Sequence, residues 1–507
     1  MKNNFLKSVA GASIVLTLLG FLSKGIGFIR EIIYANKFGL SIEFDLFLIS
    51  FTIPNIINTA TIYLCQHYFI PAFNDENKVS NTNGKEFFNR TLLLFIISGL
   101  LISIVLFFVS DIIIGLFLDT HSEVSKTIAR NMFTIFLITI PISSGMSVIM
   151  AYQQAKFNFV TPAVSLTMLN VIIIAGLLLL SEYFKIYVLP ISFSFAYLFS
   201  FGFLLLMVKR DVKILPFKSI FLRKKKDNFS IIISLILIEG LSLSYVLIDR
   251  LFISEVSPGG ISALNYAFVV FSLPISLFSI PLVTTLFSKF SLTPDTLIDD
   301  IRNAYGIIFY IMLPISFLFY FWGDLIFTSF YEGGKFSSTN TIKTYSVLKY
   351  YSFGLVFISI YHIFVKMFYS VKKYNYVLII SVSAIVVKLF LSALLVKEFR
   401  EEGLALSTTL LYIFLVLFAI IINLVEIKVI KITTFIRKIA IVFANLMFSY
   451  LISLLLGELI RLSDFGSKMI SAMFFISLFY LTAYLLRENE INMLKHTISS
   501  FAKLKMR

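Results

Sequence analysis

The sequence predicts an all-α polytopic membrane protein of about 14 transmembrane helices, arranged as two parallel six-helix repeats followed by two further helices. Three observations lead there. Hydrophobic residues fill 58% of the 507 positions and charged residues only 14%, a balance foreign to water-soluble domains. Apolar runs of roughly 20 residues, long enough to cross a bilayer core, recur from end to end. The chain also repeats itself at charged, Pro and Asn positions, where chance agreement is least expected. Backbone groups in lipid must be satisfied within each segment, so the spans are helices.

Taken in order, the apolar runs place spans near 8–34, 45–66, 88–117, 131–152, 160–181, 187–208, 229–254, 265–288, 304–329, 345–370, 376–397, 404–424, 437–456 and 468–486. The first run lacks a small-residue cleavage pattern and continues into Lys24 and Arg30, so it reads as a retained helix and not a removed signal. Spans one to six form an N-lobe, 1–208. A basic linker, 209–228, carries Lys209, Arg210, Lys213, Lys218 and the run from Arg223 to Lys226. Spans seven to twelve form a C-lobe, 229–424, and 425–507 holds the last two spans and a tail. Alternating the loops puts roughly 27 Lys and Arg on the side of the two termini against roughly 10 on the other, which predicts cytoplasmic termini.

The repeat is read without gaps. RLFISEVSPGGISALNYAFVVFSLP from Arg250 sits beneath REIIYANKFGLSIEFDLFLISFTIP from Arg30, an offset of 220 that pairs Gly39 with Gly259, Asp45 with Asn265 and Pro54 with Pro274. YQQAKFNFV from Tyr152 matches YSVKKYNYV from Tyr369 at an offset of 217. Six spans is an even number, so both copies keep one orientation, and the substrate path of such repeats lies near the midplane.

Several function classes fall away. The single Cys65 allows no disulfide and no cysteine metal site, and His67, His121, His362 and His496 lack metal-ligand spacing. No metal or other cofactor is expected. No phosphate-binding loop is present, so the energy would come from membrane potential or a Na+ or H+ gradient and not from ATP. No loop exceeds roughly 25 residues, which leaves no room for a soluble catalytic domain and argues against an enzyme. The net charge of +15 fits positive-inside retention and anionic lipid headgroups better than nucleic acid.

Charges inside spans cost roughly 2.5–3.5 kcal/mol on insertion scales and are kept for a cavity or a partner. The candidates are Lys24, Arg30, Asp45, Glu239, Asp249, Arg250, Lys366 and Lys388. Arg30 and Arg250 occupy equivalent places in the repeat, and a guanidinium fork suits a pyrophosphate. Glu239 precedes Arg250 by 11 residues, on nearly the same helical face. It is a candidate ion-coupling group, or else the partner of Lys388 on span eleven.

The stretch from Ser23 to Asn55, with Ser23-Lys24, Gly27-Phe28, Arg30-Glu31, Phe38-Gly39, Asp45-Leu46-Phe47 and Pro54-Asn55, resembles the first two helices of the MurJ (MviN) lipid II flippases of the MOP exporter superfamily. FIPAF at 69–73, FNFVTPAVSLTMLN ending at Asn170, YEGGKF at 331–336, SFGL at 352–355, FYS at 368–370 and GLALS at 403–407 extend the resemblance to about residue 425. It implies an inner-membrane flippase working by alternating access, and a monomer is expected. Its substrate would be a polyprenyl-pyrophosphate-linked glycan, lipid II or similar, with the last two helices extending a groove for the lipid tail. Three family arginines on helices one, two and eight are associated with the substrate. Here the first is Arg30, while Asn58 and Val269 stand at the other two places. The resemblance thereby adds Asn55 and Asn58 to the candidate substrate contacts, beside Lys24, Arg30, Asp45, Asp249 and Arg250. An O-antigen or capsular oligosaccharide on the same carrier is the alternative cargo. A multidrug exporter of the same superfamily is the more distant one, because the Lys24 and Arg30 pair favours an anion.

Overall fold

Fourteen apolar segments cannot all be straight rods, and the residues that punctuate them decide where they bend. In the computed structural model the described residues are 9–213, 240–284 without 242, 297–371, 373–427, 432–459 and 464–486. The first repeat contains α1 (Val9–Phe38), α2 (Ile42–Leu64), α3 (Ile70–Val79), α4 (Asn81–Phe108), α5 (Ser110–Phe117), α6 (Glu123–Leu137), α7 (Thr139–Ala155), α8 (Val160–Phe184) and α9 (Val188–Val208). Residues 243–251 form α10. Then follow α11 (Gly260–Pro274), α12 (Leu297–Trp322), α13 (Ser338–Ser352), α14 (Gly354–Ser370), α15 (Tyr374–Ile422), α16 (Ile432–Leu459) and α17 (Asp464–Leu485).

Nine helical stretches among the described residues are long and apolar enough to cross a bilayer, ten if the bent pair α13 and α14 counts as one. Two of them, Val160–Val208 and Asn375–Glu426, are 49 and 52 residues long, about twice what one crossing needs. Each is a hairpin of two spans. The expected count is consistent with this, and the first part of the seventh span, residues 229–239, lies outside the described residues together with the basic run Arg223 to Lys226. The chain divides into two compact units, Met1–Ser262 and Ala263–Arg507.

The repeat is visible in the backbone. α1 ends at Gly39 in the left-handed region (φ 59), its N–H bonded to the Ala35 carbonyl at 2.7 Å, a common helix stop. Gly259, 220 residues on, has φ 76. A side chain there would also strike the Leu40 carbonyl, 2.3 Å from the Cβ position. Ser122 and Ser337, 215 apart, are the N-caps of α6 and α13, each accepting an amide N–H from three residues on. The π-turns Cys65–Phe69 and Ile275–Ser279 each precede a proline by two residues, Pro71 and Pro281. A residue without an N–H leaves the helical ladder unfilled, and widening to the next carbonyl accommodates it.

Spans four and ten are both broken near their middles, at Ile138 and Phe353, again 215 residues apart. The bend in the second is 40°. Carbonyls at the breaks accept from neighbouring hydroxyls: Ser194 donates to Ile135 at 3.2 Å and Thr409 to Tyr350 at 2.6 Å. Both members of these two bonds are again displaced by 215. Close to the first break Pro141 has no N–H to offer Leu137, whose carbonyl accepts from Ser103 at 2.8 Å.

Each unit fills its interior with aromatic rings. Phe51 packs on Phe136 at 5.1 Å and on Phe193 at 4.8 Å, and the equivalent pair Phe271 and Tyr351 lies at 5.3 Å. The last two helices hold each other by polar bonds. Buried Asn445 on α16 donates to the Phe479 carbonyl at 3.1 Å and accepts from Thr482 on α17, the kind of interhelical bond that substitutes for a missing hydrophobic drive in lipid. α17 also reaches α12, where the Tyr480 hydroxyl donates to the Tyr310 carbonyl at 3.2 Å.

Candidate functional site

Arg30 lies in the second half of α1, on the face that also carries Gly27 and Tyr34, the i−3 and i+4 neighbours expected on one side of a helix. That face packs on α8 and α9. The guanidinium spreads its nitrogens among several partners: Nη1 donates to Asn170 Oδ1 on α8 at 2.9 Å, and Nη2 to Glu31 Oε1 at 2.7 Å. Its carbon stands 5.4 Å from the Tyr34 ring centre and 5.7 Å from that of Phe193 on α9, within the range of cation–π attraction. Nε is buried without a hydrogen-bond partner among the described residues. The side chain nevertheless remains 23% exposed, so Arg30 is reachable while most of its surroundings are dry.

Glu31 is the residue the sequence did not single out. Adjacent helical residues ordinarily point apart, yet Glu31 is buried and bonded to Arg30. The pair is close to neutral until something displaces or outcompetes the carboxylate. Asn170 was legible only as the end of a family-like motif, and Tyr197, which lies near the charge of Arg30, carried no signal at all. Lys24, nearly two turns before Arg30, is exposed.

Asn58 stands away from any open surface. It is 2% exposed, donates to Thr139 at 3.2 Å and accepts from Ser143, so its amide stitches α2 to the broken span four. Asn55, one turn earlier, is half-buried. Asp45 in the first turn of α2 is also interior. Its two oxygens accept the Gly259 and Ser262 N–H groups, each at 2.7 Å, and the Ser262 hydroxyl, in the manner of a helix N-cap supplied from elsewhere in the chain. Buried Arg250 supplies the opposite charge to Asp45, and half-buried Asp249 precedes it. Arg30 and Arg250, equivalent in sequence, thus have different surroundings: one is partly open beside Glu31 and Asn170, the other sits with the carboxylate that holds the Gly259 turn. A cavity of about 90 Å³ adjoins this turn, with Asp45, Leu46, His121 and Pro258 among its walls.

Lys388 is wholly buried on α15, bonded to the Leu404 carbonyl and to the Ser407 and Thr408 hydroxyls. Glu239, the alternative partner expected for it, lies outside the described residues. At one end of the first repeat Asp211 binds Lys85 at 2.7 Å, Lys156 at 3.0 Å and the Tyr152 hydroxyl at 2.8 Å. Partial burial works against its charge, but those three hydrogen bonds prevail and hold the carboxyl down at about 2. Among the described residues no group of three or more His, Cys, Asp or Glu could hold a metal ion.

The profile of the family described as "Lipid II flippase MurJ" matches residues 34–484. The chain belongs to the MurJ lipid II flippase family. A "Probable lipid II flippase MurJ" from Borreliella burgdorferi is 27% identical over 426 residues, covering 80% of this chain and 81% of that one. The protein of the same description from Buchnera aphidicola subsp. Schizaphis graminum is 28% identical with the same coverages. Among solved structures, one titled "Lipid II flippase MurJ, inward closed conformation" aligns with a TM-score of 0.79 at 21% identity, over 94% of this chain and 99% of that chain. An inward-facing multidrug MATE transporter of the MOP superfamily aligns at 0.61 and 15% identity, over 84% and 95%. At these identities the structural matches establish the fold, and MurJ membership rests on the family profile. The helical, multi-pass fold predicted from composition, apolar runs and the repeat is the one the MurJ structural match carries, and the family is one of transporters and not of enzymes.

Proposed function

We propose that the chain is an inner-membrane flippase for a polyprenyl-pyrophosphate-linked glycan, with lipid II, the cargo named for its MurJ relatives, as the substrate. The observation that carries this reading is the state of Arg30: a cation in an apolar bundle, partly exposed, with a buried Nε and with Glu31 and Asn170 on its two terminal nitrogens. A pyrophosphate is the anion suited to such a fork, since it can accept from two nitrogens at once. As it binds, the Glu31 carboxylate is displaced from Arg30, and Lys24 supplies further positive charge. Arg250, Asp45 and Asn58 then act by holding the bundle in shape.

The proposed orientation has both termini in the cytoplasm. Lys85, Lys156, Lys209, Arg210 and Lys213 supply the positive charge on that side, and the Asp211 cluster supports the assignment by bringing the loops after spans two, four and six to one end. Transport by alternating access follows from membership in this superfamily. The glycan and surrounding lipids are the partners required, and a monomer suffices.

The test is rescue of cells depleted of their own lipid II flippase, beside an Arg30→Ala variant inserted to the same level. Growth with the parent chain and none with the variant is expected. A well-inserted parent that fails to rescue would reject lipid II in favour of another glycan on the same carrier.

A further inference from the structure

The two hairpins that end the repeats differ at one place. Aligned at the offset of 215, Leu404 and Ser407 fall on Leu189 and Ser192, while Thr408 falls on Phe193 and Lys388 on Ile173. Ile173 and Lys388 are both wholly buried. The fold is therefore made once with an isoleucine and a phenylalanine at these two places and once with a lysine and a threonine. Both changes add polarity, and they touch: Lys388 Nζ lies 2.7 Å from Thr408 Oγ1, 2.8 Å from Ser407 Oγ and 3.2 Å from the Leu404 carbonyl.

The hydrogen bonds fix the direction of donation. Ser407 and Thr408 both spend their hydroxyl protons on the Leu404 carbonyl, at 2.8 and 3.0 Å. Their lone pairs are left to accept, so Nζ is the donor to each, as it is to the Leu404 carbonyl. Ser392, one turn beyond Lys388, completes the second lone pair of Ser407 at 3.0 Å. Gly403 permits this approach of the two arms, since a Cβ there would lie 2.4 Å from the Leu395 carbonyl. A backbone carbonyl and hydroxyl oxygens, closed off from water, are also the ligands that a small hard cation takes.

We propose that this oxygen cage is a monovalent-cation site permanently filled by the protein's own Lys388 ammonium, so that no dissolved Na+ is needed there. The consequence for transport rests on the flippase reading; the site itself does not. The Lys388 ammonium would then hold the two arms of the hairpin together in place of an exchangeable ion, and Na+ would not couple to movement through this site.

The experiment compares the purified full-length protein in NaCl and in choline chloride at equal ionic strength. The parent chain is expected to melt at one temperature in both. Lys388→Ala, which empties the cage, is expected to melt lower in choline and to recover in Na+. Lys388→Met, which fills the space without charge, gains nothing from Na+. A parent that Na+ stabilises, or an alanine variant that Na+ does not, overturns the proposal. Should Lys388→Ala fail to fold, the double variant Lys388→Ile with Thr408→Phe copies the solution already present in the first repeat. It is expected to fold, to ignore Na+ and to lose flipping, and full flipping by it would overturn the proposal. Flipping by the parent is expected to be equal in the two salts, and a requirement for Na+ would also overturn it. A parent that flips nothing in either salt refutes the flippase reading, while the melting comparison still reads the site.

Discussion

Lys185 and Arg400 stand 215 residues apart and share one unusual backbone conformation, φ 48 with ψ −128 and φ 49 with ψ −129. Each sits where a long hairpin turns from its first arm to its second. Positive φ at this ψ is a conformation that glycine adopts freely and other residues resist. Replacing either with Gly is expected to raise stability by about 1 kcal/mol, and Lys185→Val is expected to lower it. Thermal unfolding in detergent reads both, and a glycine variant that melts below the parent would show that the side chain matters more than the backbone.

The Arg30 and Glu31 pair makes a second expectation. If the carboxylate competes with the incoming anion, Glu31→Gln should bind a soluble pyrophosphate probe more tightly than the parent, while Arg30→Ala should lose binding. Arg30→Lys keeps the charge but not the fork and should fall between. Calorimetric titration separates the three, and equal affinities for the parent and Glu31→Gln would remove Glu31 from the site.

Asp45 is expected to matter for folding more than for substrate. Removing a buried carboxylate that accepts two amides and a hydroxyl leaves those donors unsatisfied beside Arg250, at a cost of about 3–5 kcal/mol. Asp45→Ala should lower membrane yield and melting temperature, and Gly259→Ala should do the same through its clash with Leu40. Normal melting of Asp45→Ala, with transport alone impaired, would return Asp45 to the substrate contacts.

The Asp211 cluster predicts a pH dependence. Its carboxyl is depressed to about 2 in the folded chain, so its bonds to Lys85, Lys156 and Tyr152 contribute fully above the ordinary aspartate range near about 3.9. They fade as pH falls through that range toward 2. Melting temperature should drop across this window in the parent and less in Asp211→Asn, which begins lower. Parallel curves would mean that other carboxylates dominate.

How much of this was legible beforehand depended on the length scale of the interaction. Spans, hairpins and the duplication were readable because lipid leaves helices as the solution for an apolar run, and because Gly39, Pro54 and Arg30 recur as Gly259, Pro274 and Arg250. Lys388 was singled out in the sequence as a charge within a span, yet its hydroxyl partners were not foreseen, since Ser407 and Thr408 reach it only once the Arg400 turn folds the two arms together. Glu31 was passed over because neighbours on a helix are not expected to meet. Asn58 looked like a contact through its place in a motif, whereas Thr139 and Ser143, too ordinary to notice in sequence, already occupy its amide.

The bonds from Asn445 to Phe479 and from Thr482 to Asn445 have a meaning for how the chain is made. A hairpin whose two arms grip each other through groups that lipid cannot solvate can leave the translocation machinery as a finished piece and settle afterwards against the ninth span, where Tyr480 finds Tyr310. Such a module is also what gene fusion could append to a twelve-span ancestor without rebuilding either repeat.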